Sequence, residues 1–305
     1  MQHDKNTLPP NEKFLIVIIL LGLLIAFGIV YCNAQSITVT TVKDIAVSQA
    51  QGVSGQETIK ADFYIPSSTP KGIVCWEHGG GFVKGNKTDG NGGICLTLAK
   101  DGWFVINTNY RLANPFSILG ADSVTATKLF WEACYRAIQD GDASVRYAII
   151  KYNLPLDIPV YKGGISAGAV AADESVCWQN GEYSLVDTAK WKNYSNGAAP
   201  INLRGSISIS GAVFQKSDVD ATDKIMIRCY GLKDNTLKCF GGFNHQCRYE
   251  GDCIITEQQQ LFANNDFYIA FPNATHGLRE GLLNIIGKQN MKQAIQFIST
   301  NLNSL

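Results

Sequence analysis

The chain has 305 residues, 46% of them hydrophobic and 17% charged, with 29 Gly and 9 Pro. This is the make-up of a globular protein with a large buried core, not of a disordered, collagenous or repetitive one. Lys+Arg and Asp+Glu both number 26, so the formal charge is zero and no basic surplus exists to neutralise a phosphate backbone, which sets nucleic-acid binding aside. Length alone allows one domain or two. Nine Cys are few for a disulfide scaffold of this length and many for an ordinary cytosolic protein.

The first segment is Phe14–Tyr31 (FLIVIILLGLLIAFGIVY), an uninterrupted uncharged apolar run preceded by Lys13. It is longer than the usual apolar stretch of a signal peptide and close to what a spanning helix needs. Cys32-Asn33-Ala34 offers small residues three and one before a cut ahead of Gln35. Residues 1–34 therefore read as a cleaved signal peptide or a retained membrane anchor, and both place residues 35–305 outside the cytoplasm. Lipid attachment at Cys32 fits poorly with the bulky Tyr31 before it. Removing residues 1–34 takes Cys32 with it and leaves eight cysteines.

From Ser36 onward, short β-rich runs alternate with longer helical patterns. Strands are expected at Ile59–Ile65, Gly72–Trp76, Trp103–Asn107, Ile158–Lys162, Ser206–Ile209, Lys224–Tyr230 and Asp266–Phe271. Several are continuous apolar runs, as in strands buried on both faces of a parallel sheet. Helical periodicity covers Ala121–Lys151, Ala167–Gln179, Thr256–Ala263 and Leu282–Asn301. The alternation predicts a single α/β domain: one mainly parallel sheet with helices on both faces. Glu182–Asn202 and Leu237–Cys253 fit the alternation poorly and read as insertions, which often shape binding sites.

Gly164-Ile165-Ser166-Ala167-Gly168 joins an expected strand to an expected helix. So tight a reversal needs glycines flanking the Ser, lifts its hydroxyl clear of the sheet and sets free helical N–H groups beside it. His78-Gly79-Gly80-Gly81-Phe82 follows the strand Gly72–Trp76. Consecutive glycines expose N–H donors that an oxyanion can approach closely. The alternative, a phosphate-binding loop, lacks the Gly-Lys-Ser/Thr that should follow it. A nucleophilic Ser needs a base, and there are four His. His3 lies in the targeting segment, His78 in the glycine loop and His245 in the Cys-rich insertion. His276 lies just after the strand Asp266–Phe271, at the end of a parallel sheet where catalytic groups gather. Asp234, after the strand Lys224–Tyr230, is the candidate acid, with Glu250 and Asp252 as competitors. The chain order Ser166, Asp234, His276 separates one hydrolase architecture from two others.

These stretches resemble the α/β-hydrolase superfamily, on the esterase and lipase side that carries an HGGG loop, and in particular its secreted carboxylesterase-like members. The resemblance runs from about Ile37 to the C-terminus and includes Asn109-Tyr110-Arg111-Leu112, Gln139-Asp140-Gly141-Asp142-Ala143, Gly231-Leu232-Lys233-Asp234 and Thr275-His276-Gly277. It departs from members akin to hormone-sensitive lipase at Ile165, where those carry an acidic residue, and at Ala169, where they carry Gly. The resemblance implies a serine esterase with Ser166, Asp234 and His276 as the triad and with Gly80, Gly81 and Ala167 donating to the oxyanion. It implies no metal or organic cofactor, and a small-molecule or polymer-linked ester as partner. A peptidase or amidase on the same fold and a noncatalytic surface-binding protein are the alternatives.

Cys239, Cys247 and Cys253 cluster in one insertion. For an exported chain at least two are expected in a disulfide; zinc is the other use, without its usual spacing. Cys75 and Cys229 read as buried free thiols. Asn86, Asn193 and Asn273 begin N-x-S/T sequons, and glycans on Asn86 or Asn273 would crowd the presumed site, so those two read as unoccupied. Trp191 and Tyr194 could line a pocket or pack in the core.

Overall fold

The expected strands pair in the computed structural model, which describes residues 36–119, 121–178, 185–193, 200–220, 223–244, 247–261, 266–279 and 285–305. In chain order the strands are β1 (Val39–Gly52), β2 (Gly55–Pro66), β3 (Ile73–Glu77), β4 (Phe104–Thr108), β5 (Pro159–Ile165), β6 (Asn202–Ile209), β7 (Ala212–Val213), β8 (Ile225–Gly231), β9 (Gly242–Asn244), β10 (Cys247–Gly251) and β11 (Asp266–Phe271). The helices are α1 (Gly92–Lys100), α2 (Pro115–Leu119), α3 (Ser123–Lys151), α4 (Ala167–Cys177), α5 (Asp252–Leu261) and α6 (Ile285–Leu302). Eight strands form one sheet in the order β1-β2-β4-β3-β5-β6-β8-β11, and β7-β10-β9 form a small second one. From β4 to β11 every neighbouring pair is parallel, whereas β1–β2 and β2–β4 are antiparallel. Residues Thr38–Leu305 make one compact unit.

Alternation along the central strands sends successive side chains to opposite layers. Val74, Trp76 and Val105 pack with Ile94 and Leu98 of α1 and with Ala294, Ile298 and Leu302 of α6. Their neighbours Ile73, Cys75, Phe104 and Ile106 pack with Val145, Ala148 and Ile149 of α3. Helices therefore cover both faces, as expected. Asp122 sets the start of α3 by accepting from the N–H groups of Val124 (3.0 Å) and Thr125 (2.9 Å), which satisfies donors that a helix start leaves free.

Several elements differ from the sequence reading. β1 is a long edge strand whose side chains are mostly exposed or half-buried, so it carries no apolar run to betray it. α1 buries Ile94, Cys95, Leu98 and Ala99, but it is short and opens on Gly92-Gly93. The helix expected at Thr256–Ala263 begins earlier, at Asp252, directly after β10.

Buried ion pairs tie distant motifs together. Arg111 is fully buried and its Nε donates to both carboxylate oxygens of Asp140 at 3.0 Å, so the Asn109–Leu112 and Gln139–Ala143 motifs meet. Cutting such a pair by removing one partner strands a charge in the interior. Cys75, Cys95, Cys134, Cys177, Cys229 and Cys247 are buried free thiols, and burial pushes the pKa of each upward. Among the described residues no helix is long and apolar enough to cross a membrane; the run Phe14–Tyr31 lies outside them.

Candidate active site

Because β3, β5, β8 and β11 belong to one parallel array, the segments after them emerge along one edge of the sheet. Those segments carry His78, Ser166, Asp234 and His276. The interstrand ladder continues past the strand ends. Ser166 N–H donates to the Ile209 carbonyl (2.9 Å), Ser210 N–H to that of Cys229 (2.9 Å), and Lys233 N–H to that of Ala274 (3.0 Å).

Ser166 has φ 57° and ψ −118°, a left-handed conformation that costs a non-glycine residue on the order of 1–3 kcal/mol. The glycines around it make the turn possible. A Cβ placed on Gly164 falls 2.3 Å from the carbonyl carbon of Gly168, and one placed on Gly168 falls 2.4 Å from the carbonyl oxygen of Glu77. Both positions admit hydrogen only.

His276 Nε2 lies 2.7 Å from Ser166 Oγ, and its Nδ1 lies 2.7 Å from Asp234 Oδ2. An ionised carboxylate only accepts, so Nδ1 carries the proton and Nε2 is free to accept from the Ser hydroxyl. The Asp234 side chain is 2% exposed, that of His276 25%. Asp234 Oδ1 is held by the N–H groups of Thr236 (2.8 Å) and Leu237 (2.9 Å). The His loop is held by Gly277 N–H, which donates to Ser210 Oγ at 3.1 Å.

The glycine loop lies against the Ser turn: a Cβ on Gly79 would fall 3.2 Å from that of Ser166. Gly80 and Gly81 adopt φ of 121° and 63°. Among the described residues no hydrogen bond uses the N–H of Gly80, Gly81 or Ala167. His78 serves as scaffold. Its ring stacks on Tyr110 (4.2 Å between centroids, 14°), Nδ1–H donates to the Gly79 carbonyl (2.6 Å), and the Tyr110 hydroxyl donates to the His78 carbonyl (3.0 Å). Burial lowers its pKa, favouring the neutral ring. Beneath the loop, Glu77 is 3% exposed, and burial pushes its carboxyl up to about 8. A cleft of about 340 Å³ is lined in part by Glu57, Thr58, His78, Asn109, Tyr110 and Asn114.

The structure thus brings Ser166, Asp234 and His276 together. Of the competing acids, Glu250 faces Arg248 (3.0 Å), and Asp252 opens α5, where its carbonyl accepts from Arg228 Nη1 (2.9 Å). His245 and Tyr194 lie outside the described residues. Cys239 and Cys253 form a disulfide, as expected for two of the three clustered cysteines, which uses two of the thiolates that zinc would need. Among the described residues no group of three or more His, Cys, Asp or Glu could hold a metal ion. Trp191 is a packing residue, with the Arg136 guanidinium 4.1 Å and Lys190 Nζ 4.4 Å from its ring centroid. The Asn193 amide donates to Asp140 (2.8 Å), while Asn273 accepts from Lys233 Nζ (2.8 Å). Sequence reasoning missed Ser210, Glu77 and Tyr249, none of which belongs to a motif.

No protein-family model matches the sequence, and no curated protein does. Solved structures do. A truncated carbohydrate esterase from gut microbiota superposes with TM-score 0.52 at 14% identity, over 88% of this chain and 98% of that one. The apo form of esterase 2 from Thermogutta terrifontis gives 0.54 at 14% identity, over 88% and 94%. The same esterase phosphorylated by paraoxon gives 0.51 at 16% identity, over 86% and 93%. At such identities the likeness is one of architecture, and with the sheet order described above it establishes that this chain has the α/β-hydrolase fold.

Proposed function

We propose that the protein is a serine hydrolase of carboxylic esters. The observation that carries this reading is the relay Ser166 Oγ–His276 Nε2 (2.7 Å) and His276 Nδ1–Asp234 Oδ2 (2.7 Å), with the glycine loop set against the Ser. Ser166 attacks the ester carbonyl as His276 takes its proton, and Asp234 holds the ring in the accepting tautomer and stabilises the imidazolium. The free N–H groups of Gly80, Gly81 and Ala167 receive the charge that develops on the carbonyl oxygen, each worth on the order of 3 kcal/mol. His276 then protonates the leaving alcohol, and water repeats the cycle to release the acid. No step calls on a cofactor.

The HGGG loop favours esters over amides through the resemblance that it carries, and the esterases among the similar folds support the same choice. Export through residues 1–34 belongs to this reading, and a structural disulfide suits an oxidising compartment. The substrate is a small or polymer-linked ester. The test compares wild type with Ser166→Ala on p-nitrophenyl esters, on an aminoacyl amide and with a fluorophosphonate probe. Loss of ester turnover and of labelling, with the thermal transition unchanged, is the expected result. Full turnover in Ser166→Ala overturns the assignment; an amide preference moves it to a peptidase; and a wild type that neither turns over nor labels makes the chain a binding module.

A further inference from the structure

We propose that the Cys239–Cys253 disulfide and the Tyr249 hydroxyl form a clasp that positions Asp234, so that turnover depends on the disulfide being closed; this rests on the triad proposed above. Asp234 is fixed mainly by its own loop, through the N–H groups of Thr236 and Leu237. That loop is thinly packed: Asn235, Thr236 and Lys238 are exposed, and half-buried Leu237 packs against the cluster that includes Tyr249 and Cys247. Segments with so few buried contacts open at low free-energy cost unless something else restrains them.

The restraint comes from β10 and the start of α5. Tyr249 is buried, and its hydroxyl accepts from Lys238 N–H (2.6 Å) and donates to the Thr236 carbonyl (3.3 Å), gripping the loop on both sides of Leu237. One residue further, Cys239 is bonded covalently to Cys253, and Cys253 N–H donates to the Cys239 carbonyl (2.9 Å). β10 is itself anchored to the body of the fold, because Glu250 and Gly251 pair with Val213 and Ala212 of β7. A continuous path therefore runs from the core through β7 and β10 to Tyr249 and Cys253, and from there to the loop that aims Asp234 at His276. Orienters of this kind act on turnover more than on binding, because a slight misplacement of catalytic groups is costly in the transition state.

Opening the clasp is a two-electron step. A dithiol such as dithiothreitol supplies two electrons and two protons to the Cys239–Cys253 bond, leaving two thiols, and is itself oxidised to its cyclic disulfide. The experiment measures kcat per active site titrated with a fluorophosphonate, so that unfolded protein does not enter the value. It compares oxidised wild type, dithiothreitol-reduced wild type, the double variant Cys239→Ser/Cys253→Ser, and Tyr249→Phe, which keeps the disulfide. The expected result is a kcat lower by about tenfold or more in the reduced and double-Ser proteins and by several fold in Tyr249→Phe, with KM within about twofold throughout. Oxidised glutathione should restore the reduced wild type and leave the double-Ser variant unchanged. Undiminished kcat per titrated site in reduced wild type overturns the proposal, and so does an undiminished value in Tyr249→Phe. Oxidised wild type that neither labels nor hydrolyses esters would instead sink the triad reading on which it rests.

Discussion

Replacing Glu77 by Gln should make the protein more stable in alkaline solution and leave it nearly unchanged in acid. Glu77 lies at the carboxyl end of β3 with both carboxyl oxygens buried and, among the described residues, without a hydrogen-bond partner. Burial is the main cause of its raised pKa; Lys162 on β5 partly offsets this, and Asp140 and Asp142 on α3 reinforce it. Below pH 4.5 both folded and unfolded chains hold the proton, and Glu77 contributes no pH dependence. Between pH 4.5 and about 8 the unfolded chain releases it while the folded one keeps it, so stability falls as pH rises through that window. At about 1.4 kcal/mol per pH decade, the interval sets an upper bound of about 5 kcal/mol. Relaxation of the interior and water entry reduce this to roughly 2–3 kcal/mol. Gln has nearly the same shape and no proton to lose. Urea unfolding of both proteins at pH 5, 6, 7 and 8.5 measures the difference, which should open steadily in favour of Gln. A difference that stays flat with pH, or one that favours wild type as pH rises, refutes the reasoning.

Gly168→Ala should be worse than a surface substitution by a wide margin, because its Cβ meets the Glu77 backbone at 2.4 Å and α4 must shift away from the Ser turn. The expected cost is about 1–3 kcal/mol in stability and about 100-fold in kcat, read by thermal melting and ester turnover. Ser210→Ala removes the hydroxyl that accepts from Gly277 N–H beside His276. It should lower kcat about tenfold with KM unchanged and reduce stability by about 1 kcal/mol.

What could be read from the sequence divides along physical lines. The Ser turn and the glycine loop were legible because Gly164, Gly168 and Gly80 come too close to other backbone for any side chain and Gly80 and Gly81 take positive φ, demands that leave glycines at fixed spacing. Asp234 and His276 were legible through chain order and strand ends, since a parallel sheet collects its strand ends along one edge. β1 escaped because an edge strand exposed along most of its length leaves no periodic apolar trace. Glu77, Ser210 and Tyr249 escaped for another reason: each meets a residue far away in sequence, Glu77 lying against Gly141 of α3, Ser210 accepting from Gly277 and Tyr249 from Lys238. The insertion Leu237–Cys253 announced itself as a break in the α/β alternation, but nothing in its composition said that it would pair with β7 and bond through Tyr249 to the loop after Asp234.

The six buried thiols among the described residues give the molecule a set of internal reporters. They are distributed over β3, α1, α3, α4, β8 and β10, which samples both helical layers, the central sheet and the small one. Shielded from solvent and poor in thiolate, each can react with an alkylating reagent only when its own neighbourhood opens. The order in which they are modified, followed by peptide mass, would therefore rank the layers by how often they breathe, without a label or a substitution having been added.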